Sequence, residues 1–159
     1  MKQIPLSQGK LAIVDDEDYD FLMQWKWFYS RGYAVRSVYC KKGDDGKPQT
    51  LWMHKILNNT PIGMQTDHIN GDKTDNRKCN LRSVTSQQNL RNQAKGGGSS
   101  KYKGVSWCPI AKKWRAYIKD NYKQFSLGKY LHEQDAANAY NNAAKKLHGG
   151  YARLNEVAA

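Results

Sequence analysis

The chain has 159 residues, 26 Lys and Arg against 14 Asp and Glu for a net charge of +12, and 39% hydrophobic residues including five Trp and ten Tyr. That length makes one or two small domains, and the aromatic content excludes a merely disordered basic tail. Residues 1–94 carry 14 basic and 10 acidic side chains and residues 95–159 carry 12 and 4, so most of the excess charge, and with it a polyanion-binding module, is expected in the C-terminal part.

Cys40, Cys79 and Cys108 are far apart and form no CxxC pair, which excludes a zinc knuckle and suits a reducing compartment. No apolar run has the length of a signal peptide or of a ~20-residue membrane span. The expectation is a cytoplasmic protein of a bacterial or phage-infected cell, with no membrane partner.

In chain order, GKLAIV (9–14) reads as a strand, and Asp15 or Asp16 caps a helix whose first turn collects Glu17 and Asp18. A capped helix explains these acids better than a metal site does. WFYSRGYAVRSV (27–38) predicts two strands around a turn at Arg31 and Gly32, KKGDDGKP (41–48) an exposed loop, and TLWMHKIL (50–57) a strand or helix start. His54, amid apolar residues, reads as structural, with the alternative that it faces an active site or a phosphate.

Asp67 to Asn92, DHINGDKTDNRKCNLRSVTSQQNLRN, carries the chemistry. Asn70-Gly71 favours a turn, 72–80 is a loop and Leu81–Val84 a returning strand. Thr85 with Gln88 forms a capping box that opens a helix bearing Asn89 and Asn92 on one face. Phosphodiester hydrolysis needs a base for water and a cation for the leaving oxygen. His68 titrates in the right range to be the base. Asp67 and Asn89 offer oxygen ligands that favour one Mg²⁺, or Mn²⁺, and Asn92 competes with Asn89. Asn80 is placed to accept a hydrogen bond from the ring of His68 and fix its tautomer. Neighbours in a regular strand face opposite ways, so the Asp67-His68 pair calls for a twisted strand end. Asp67, Asn76, Asn80 and Asn89 are also explicable as turn and cap residues, which Asn and Asp commonly are; the coincidence of four matched roles favours catalysis.

AKGGGSS (94–100) is a flexible linker by composition. KYKGVSW, KKWRAYIK and KQFSLGKY follow as three strands, then a helix over 133–148 stopped by Gly149 and Gly150. The middle strand alternates: Trp114, Ala116 and Ile118 face one way, Lys113, Arg115, Tyr117 and Lys119 the other. A small-residue stripe, Ala136, Ala137, Tyr140, Ala143, Ala144 and Leu147, lets the helix lie against the apolar face. The opposite face is then a basic surface able to enter a major groove.

DHINGD, DNRKCNLR and QQNLRN resemble the HNH homing-type endonucleases, in the variant whose last His is Asn. The resemblance implies a strand-strand-helix (ββα-metal) core with Asp67 and Asn89 as ligands of one divalent cation, His68 as general base and Asn80 as its orienter. It also implies DNA nicking or cutting that leaves a 5′ phosphate and a 3′ hydroxyl, and it extends upstream through IPLSQGKLAIVDDEDYDFL and MHKIL. YKGVSW, KW, LGKY, EQDAANAYNNAAKKLHG and ARLN resemble the APETALA-two or ethylene-response-factor DNA-binding domain. That likeness implies contacts from Lys103, Ser106, Lys113, Tyr117 and Lys119, with Trp107 and Arg115 added as neighbours. Ser106, Cys108 and Ser126 replace residues those domains use on bases, so no target sequence carries over.

The expected architecture is α+β. An HNH domain with an N-terminal extension covers 1–93 (core about 53–93), a linker 94–100, and a three-stranded antiparallel sheet on one helix 101–155. The expected function is a metal-dependent DNA endonuclease acting on double-stranded DNA, a monomer or weak dimer with no small-molecule cofactor. The alternatives are an inert DNA-binding regulator and, with less support, a nuclease for structured RNA.

Overall fold

The computed structural model describes residues 1–39 and 48–157. The fold is mixed α+β, with small antiparallel sheets and four α-helices among the described residues. Contacts divide the chain into two compact units, Met1–Ser86 and Gln87–Ala159.

The first unit opens with a hairpin of β1 (Lys2–Pro5) and β2 (Leu11–Val14). Alternate residues Ile4, Ala12 and Val14 are buried. β1 escaped the sequence reading because KQIP offers one buried side chain and ends in Pro. Helix α1 (Asp16–Leu22) carries Asp16, Glu17 and Asp18 in its first turn, where negative charge meets the positive helix end. Asp15 sits at the cap position but makes no side-chain capping bond. The helix ends at Leu22, whose carbonyl accepts Trp27 Nε1 at 2.9 Å.

A three-stranded antiparallel sheet follows, β3 (Phe28–Ser30), β4 (Tyr33–Tyr39) and β5 (Pro48–Trp52), in that order. Its first turn is the expected Arg31-Gly32 pair, with φ of 50° and 93°. Positive φ at both central residues matches the twist of a two-residue hairpin. Cys40 and most of the expected loop, residues 41–47, lie outside the described residues, while Pro48 opens β5 rather than ending a loop. TLWMHKIL divides between strand and helix, because α2 (Met53–Asn58) starts directly after Trp52. Ile4, Leu6, Ala12, Val14, Leu22, Trp27, Ala34 and Met53 form the core of this unit. Each large side chain among them contributes roughly 1.5–3 kcal/mol of burial free energy. The last pair, β6 (Gln65–His68) and β7 (Leu81–Val84), is antiparallel, with Asp67 opposite Arg82 and His68 opposite Leu81.

Helix α3 (Ser86–Asn92) begins at the boundary, and all of it after Ser86 belongs to the second unit. There β8 (Val105–Cys108), β9 (Lys113–Asp120) and β10 (Lys123–Tyr130) form an antiparallel sheet with β9 in the centre. Helix α4 (Glu133–His148) packs on it through buried Ala136, Ala137, Tyr140 and Ala144. Ser100, at the end of the Gly-rich stretch, is buried and donates to Glu133 Oε1 at 2.6 Å. Asn155 braces the tail: its amide bonds Lys103 N (2.7 Å) and Lys103 O (3.0 Å), while its backbone bonds Asn141.

Gly104 marks where helix and sheet come closest. Its φ is +73°, and a Cβ there would lie 2.1 Å from Tyr140 Cδ2 and 2.5 Å from Tyr117 O. Gly104→Ala should therefore lower the unfolding free energy of the second unit by about 2–4 kcal/mol, from overpacking and left-handed backbone together. A urea titration followed by Trp fluorescence measures this, and an unchanged midpoint would contradict the packing described.

Candidate active site and nucleic-acid interface

The loop between β6 and β7 is a run of side-chain-closed turns. Asp72 N donates to Asn70 Oδ1 at 2.8 Å, and Thr74 N to Asp72 Oδ1 at 2.9 Å. Asp75, buried, accepts Asn70 Nδ2 (3.0 Å), Arg77 Nε (2.7 Å) and Arg77 Nη2 (2.6 Å), and the Arg77 guanidinium holds its carboxyl below the usual range. The loop is bound to the edge of β2: Ile13 N donates to Thr74 O at 2.9 Å and Asn76 N to Ile13 O at 2.8 Å. The acids of 15–18 anchor it further. Asp15 accepts Lys78 N at 2.7 Å, and Lys78 Nζ lies 2.5 Å from Glu17 and 3.3 Å from Asp18. This, rather than capping alone, is what the acidic cluster does.

Asp67 and His68 are 7% and 5% exposed. Their surroundings differ, as neighbours on a strand require. Asp67 Oδ2 accepts Arg82 Nε at 2.9 Å and lies 2.8 Å from Arg82 Nη2, across the β6–β7 pair. The His68 ring packs edge-on to His54 at 5.1 Å and at 6.1 Å from Tyr33. His54, 6% exposed, therefore lies against the candidate base, and Tyr33 joins it at 5.1 Å. Lys73 Nζ sits 4.4 Å over the Tyr33 ring.

The expected bond between Asn80 and His68 is not formed. Asn80 Oδ1 accepts Asn70 N at 3.0 Å and its Nδ2 donates to Asp75 O at 2.8 Å, so closing the loop occupies this short side chain. Asn76 Oδ1 stands at the ring instead, 3.4 Å from His68 Nε2. Burial pulls the His54 pKa down to about 3, with His68 and Lys55 adding to the effect. Burial also lowers that of His68, opposed by its bond to Asn76 and by Asp67. Burial thus favours the uncharged ring at both positions, the state in which an imidazole takes up a proton.

Among the described residues no three His, Cys, Asp or Glu side chains converge as a metal cage. Mg²⁺ does not need one, since it commonly binds one or two carboxylates plus phosphate oxygens and water. Asp67, a hard oxygen donor beside His68, fits that pattern. Asn89 is half-buried on α3 and its rival Asn92 is buried, both in the second unit.

The faces of the C-terminal sheet follow from register, because directly opposed residues share a face. Ser106 opposes Arg115, which opposes Lys129; Tyr117 opposes Ser126 and Lys119 opposes Gln124. Lys113, Arg115, Tyr117 and Lys119 thus lie on one face, as alternation predicts, joined by Ser106, Gln124, Ser126 and Lys129. None of its four cations is paired with an acid among the described residues. Two expected contacts fall elsewhere. Trp107 opposes Trp114, packs edge-on to it at 5.1 Å and shares the helix-side face, where its place on an outer strand leaves it 37% exposed. Lys103 Nζ donates to Arg91 O and Gln93 O, both at 2.6 Å, and burial lowers its pKa to about 8. Its charge serves the C-terminal carbonyls of α3. The contribution of β10 went unread because a register shift between Ser126 and Gly128 breaks the alternation.

Residues 59–91 match the family model described as HNH endonuclease, and residues 100–150 match the AP2 domain. A protein of Acanthamoeba polyphaga mimivirus, described as an uncharacterized HNH endonuclease, is 29% identical over 153 residues, which cover 94% of this chain and 77% of that one. The matches find an HNH endonuclease domain and an AP2 DNA-binding domain in the chain, and this content supports a DNA-cleaving hydrolase. Tyr33 and His54 lie before the HNH match, so only the three-dimensional structure brings them to His68.

Two measurements follow from this geometry. Unfolded His54 binds a proton near 6.5 and folded His54 only near 3. The unfolded state therefore holds more protons between those values, and stability falls as pH drops through that window. His54→Phe should flatten the fall in urea-unfolding free energy by up to about 1.4 kcal/mol per pH unit; equal slopes in both proteins would refute the assignment. In DNA-binding titrations, Arg115→Ala should lower the slope of log K against log salt by about 0.9, while Trp107→Ala leaves it unchanged.

Proposed function

We propose that the chain is a metal-dependent endonuclease for double-stranded DNA, with Asp67 and His68 at the reacting phosphodiester and the outer face of the C-terminal sheet on the duplex. The observation that carries the reading is a buried His68, packed on His54 and 3.4 Å from Asn76 Oδ1, next in sequence to a buried carboxylate. His68 takes a proton from water, and the resulting oxygen attacks phosphorus. The bond to the 3′ oxygen breaks, leaving a 5′ phosphate and, after that oxygen takes a proton from solvent, a 3′ hydroxyl. A divalent cation, Mg²⁺ or Mn²⁺, supplies charge neutralisation for the leaving oxygen when bound. Asp67 would be its carboxylate ligand, and the amide ligand, Asn89 or its rival Asn92, is proposed from the resemblance to HNH nucleases alone. The strand-strand-helix reading of the core rests on the HNH match together with the order β6, β7, α3.

The Asp67–Arg82 pair keeps the carboxylate from being an uncompensated charge in a buried place. Binding is assigned to the sheet face with Lys113, Arg115, Lys119 and Lys129, whose cations attract phosphates without regard to sequence. In a supercoiled-plasmid assay with Mg²⁺, wild type should nick and added chelator should stop it. His68→Ala should cut at least about 100-fold more slowly, the lower range for loss of a general base, with unchanged DNA affinity. Cleavage by His68→Ala at the wild-type rate would sink the assignment, and absence of cleavage with every divalent cation tried would favour an inert DNA-binding regulator.

A further inference from the structure

We infer that Asn76 is a positioning residue that fixes the tautomer of His68, and that through it the N-terminal hairpin is part of the active site. The inference rests on His68 being the base, as proposed above. It follows from a chain of donors and acceptors that ends at His68 Nε2. Thr74 O is a carbonyl and can only accept. It accepts Ile13 N at 2.9 Å and Asn76 Nδ2 at 3.0 Å. The nitrogen of the Asn76 amide must therefore face Thr74, which turns Oδ1 towards His68 Nε2, 3.4 Å away. That oxygen also only accepts, so Nε2 carries the ring proton. A neutral imidazole has one N–H, and its lone pair is then on Nδ1, the atom that takes the proton from water.

Other groups hold this arrangement in place. Asn76 is 1% exposed and its backbone N donates to Ile13 O at 2.8 Å, so the amide has no room to turn and its chain no freedom to shift. The rings of His54 and Tyr33 pack against His68. When Nδ1 gains a proton, the positive ring still donates Nε2–H to Asn76 Oδ1, which supports the charged form that the step creates. The separation of 3.4 Å is loose for a finished hydrogen bond, as catalytic bonds often are before substrate binds. Asn80, whose amide closes the loop, has no part in this relay.

The test is a long-range ¹H–¹⁵N spectrum of the full chain labelled at histidine, recorded at about pH 8, with the His68 signals identified by their loss in His68→Gln. Wild type should show the pattern of an Nε2–H, Nδ1-lone-pair ring. Asn76→Asp, which keeps an acceptor at the ring, should retain that pattern. Asn76→Leu, which removes it, should shift His68 towards the other tautomer and slow plasmid nicking at least about 10-fold at unchanged DNA affinity. An Nδ1–H pattern in wild type, or an unchanged Nε2–H pattern in Asn76→Leu, would overturn the inference. The wild-type spectrum decides even where Asn76→Leu fails to fold. It reads the tautomer whether or not the plasmid is cut, so loss of the nuclease reading and loss of the tautomer assignment give different results.

Discussion

The candidate active site depends on two backbone hydrogen bonds between β2 and the loop, from Ile13 N to Thr74 O and from Asn76 N to Ile13 O. The loop closes on itself through side chains of Asn and Asp, and such turns leave main-chain groups without a ladder partner. Buried groups of that kind must be paired. An edge strand of the N-terminal hairpin supplies the pairing, and the apolar side chains of that hairpin supply its rigidity through the core of the first unit. Each bond has a modest net value, on the order of 1 kcal/mol. Their importance is positional, since they fix Thr74 and Asn76, and Asn76 stands at the ring of His68.

Charge is divided between the units in a way that follows from burial. The candidate active site of the first unit lies among buried groups, and buried charge is tolerated only when paired. Asp67 is accordingly matched by Arg82, Asp75 by Arg77, and burial disfavours the charged form of both histidines. The second unit has the reverse problem of presenting unpaired charge, and a sheet face open to solvent allows this at little cost. Lys103 shows where the rule applies within that unit: being partly buried, its ammonium is surrounded by carbonyl oxygens and is not exposed to a ligand.

Much of this was legible in the sequence where one signal dominates. The strand Leu81–Val84 and the helix Glu133–His148 fall where predicted, because apolar spacing and helix stops agree there. The Arg31-Gly32 hairpin was legible because a glycine interrupts a run of aromatic and β-branched residues. The face of β9 was readable from alternation, and the register of Trp107 with Trp114 puts that side chain on the helix-side face. Asn76 was not legible in this way. It is one of several Asn residues in a loop, and what separates it from Asn80 is an edge strand more than sixty positions away, counting from Ile13 to Asn76.

On the proposed reading, the pairing of Asp67 with Arg82 constrains how the cation is held. The carboxylate already has one positive partner at 2.8 Å, and a second must share its oxygens. A protein cage would offset that competition with further acids, yet no such cluster converges among the described residues. On that reading the other ligands would be amide oxygen, water and the phosphate itself. A site built in this way binds its cation weakly alone and more tightly with DNA in place, because the phosphate contributes both oxygens and negative charge. If the basic sheet face provides the affinity for the duplex, as proposed, that affinity would also govern occupancy of the metal site. That coupling gives a physical reason for one chain to carry a sparse nuclease centre and a strongly basic DNA-binding module together.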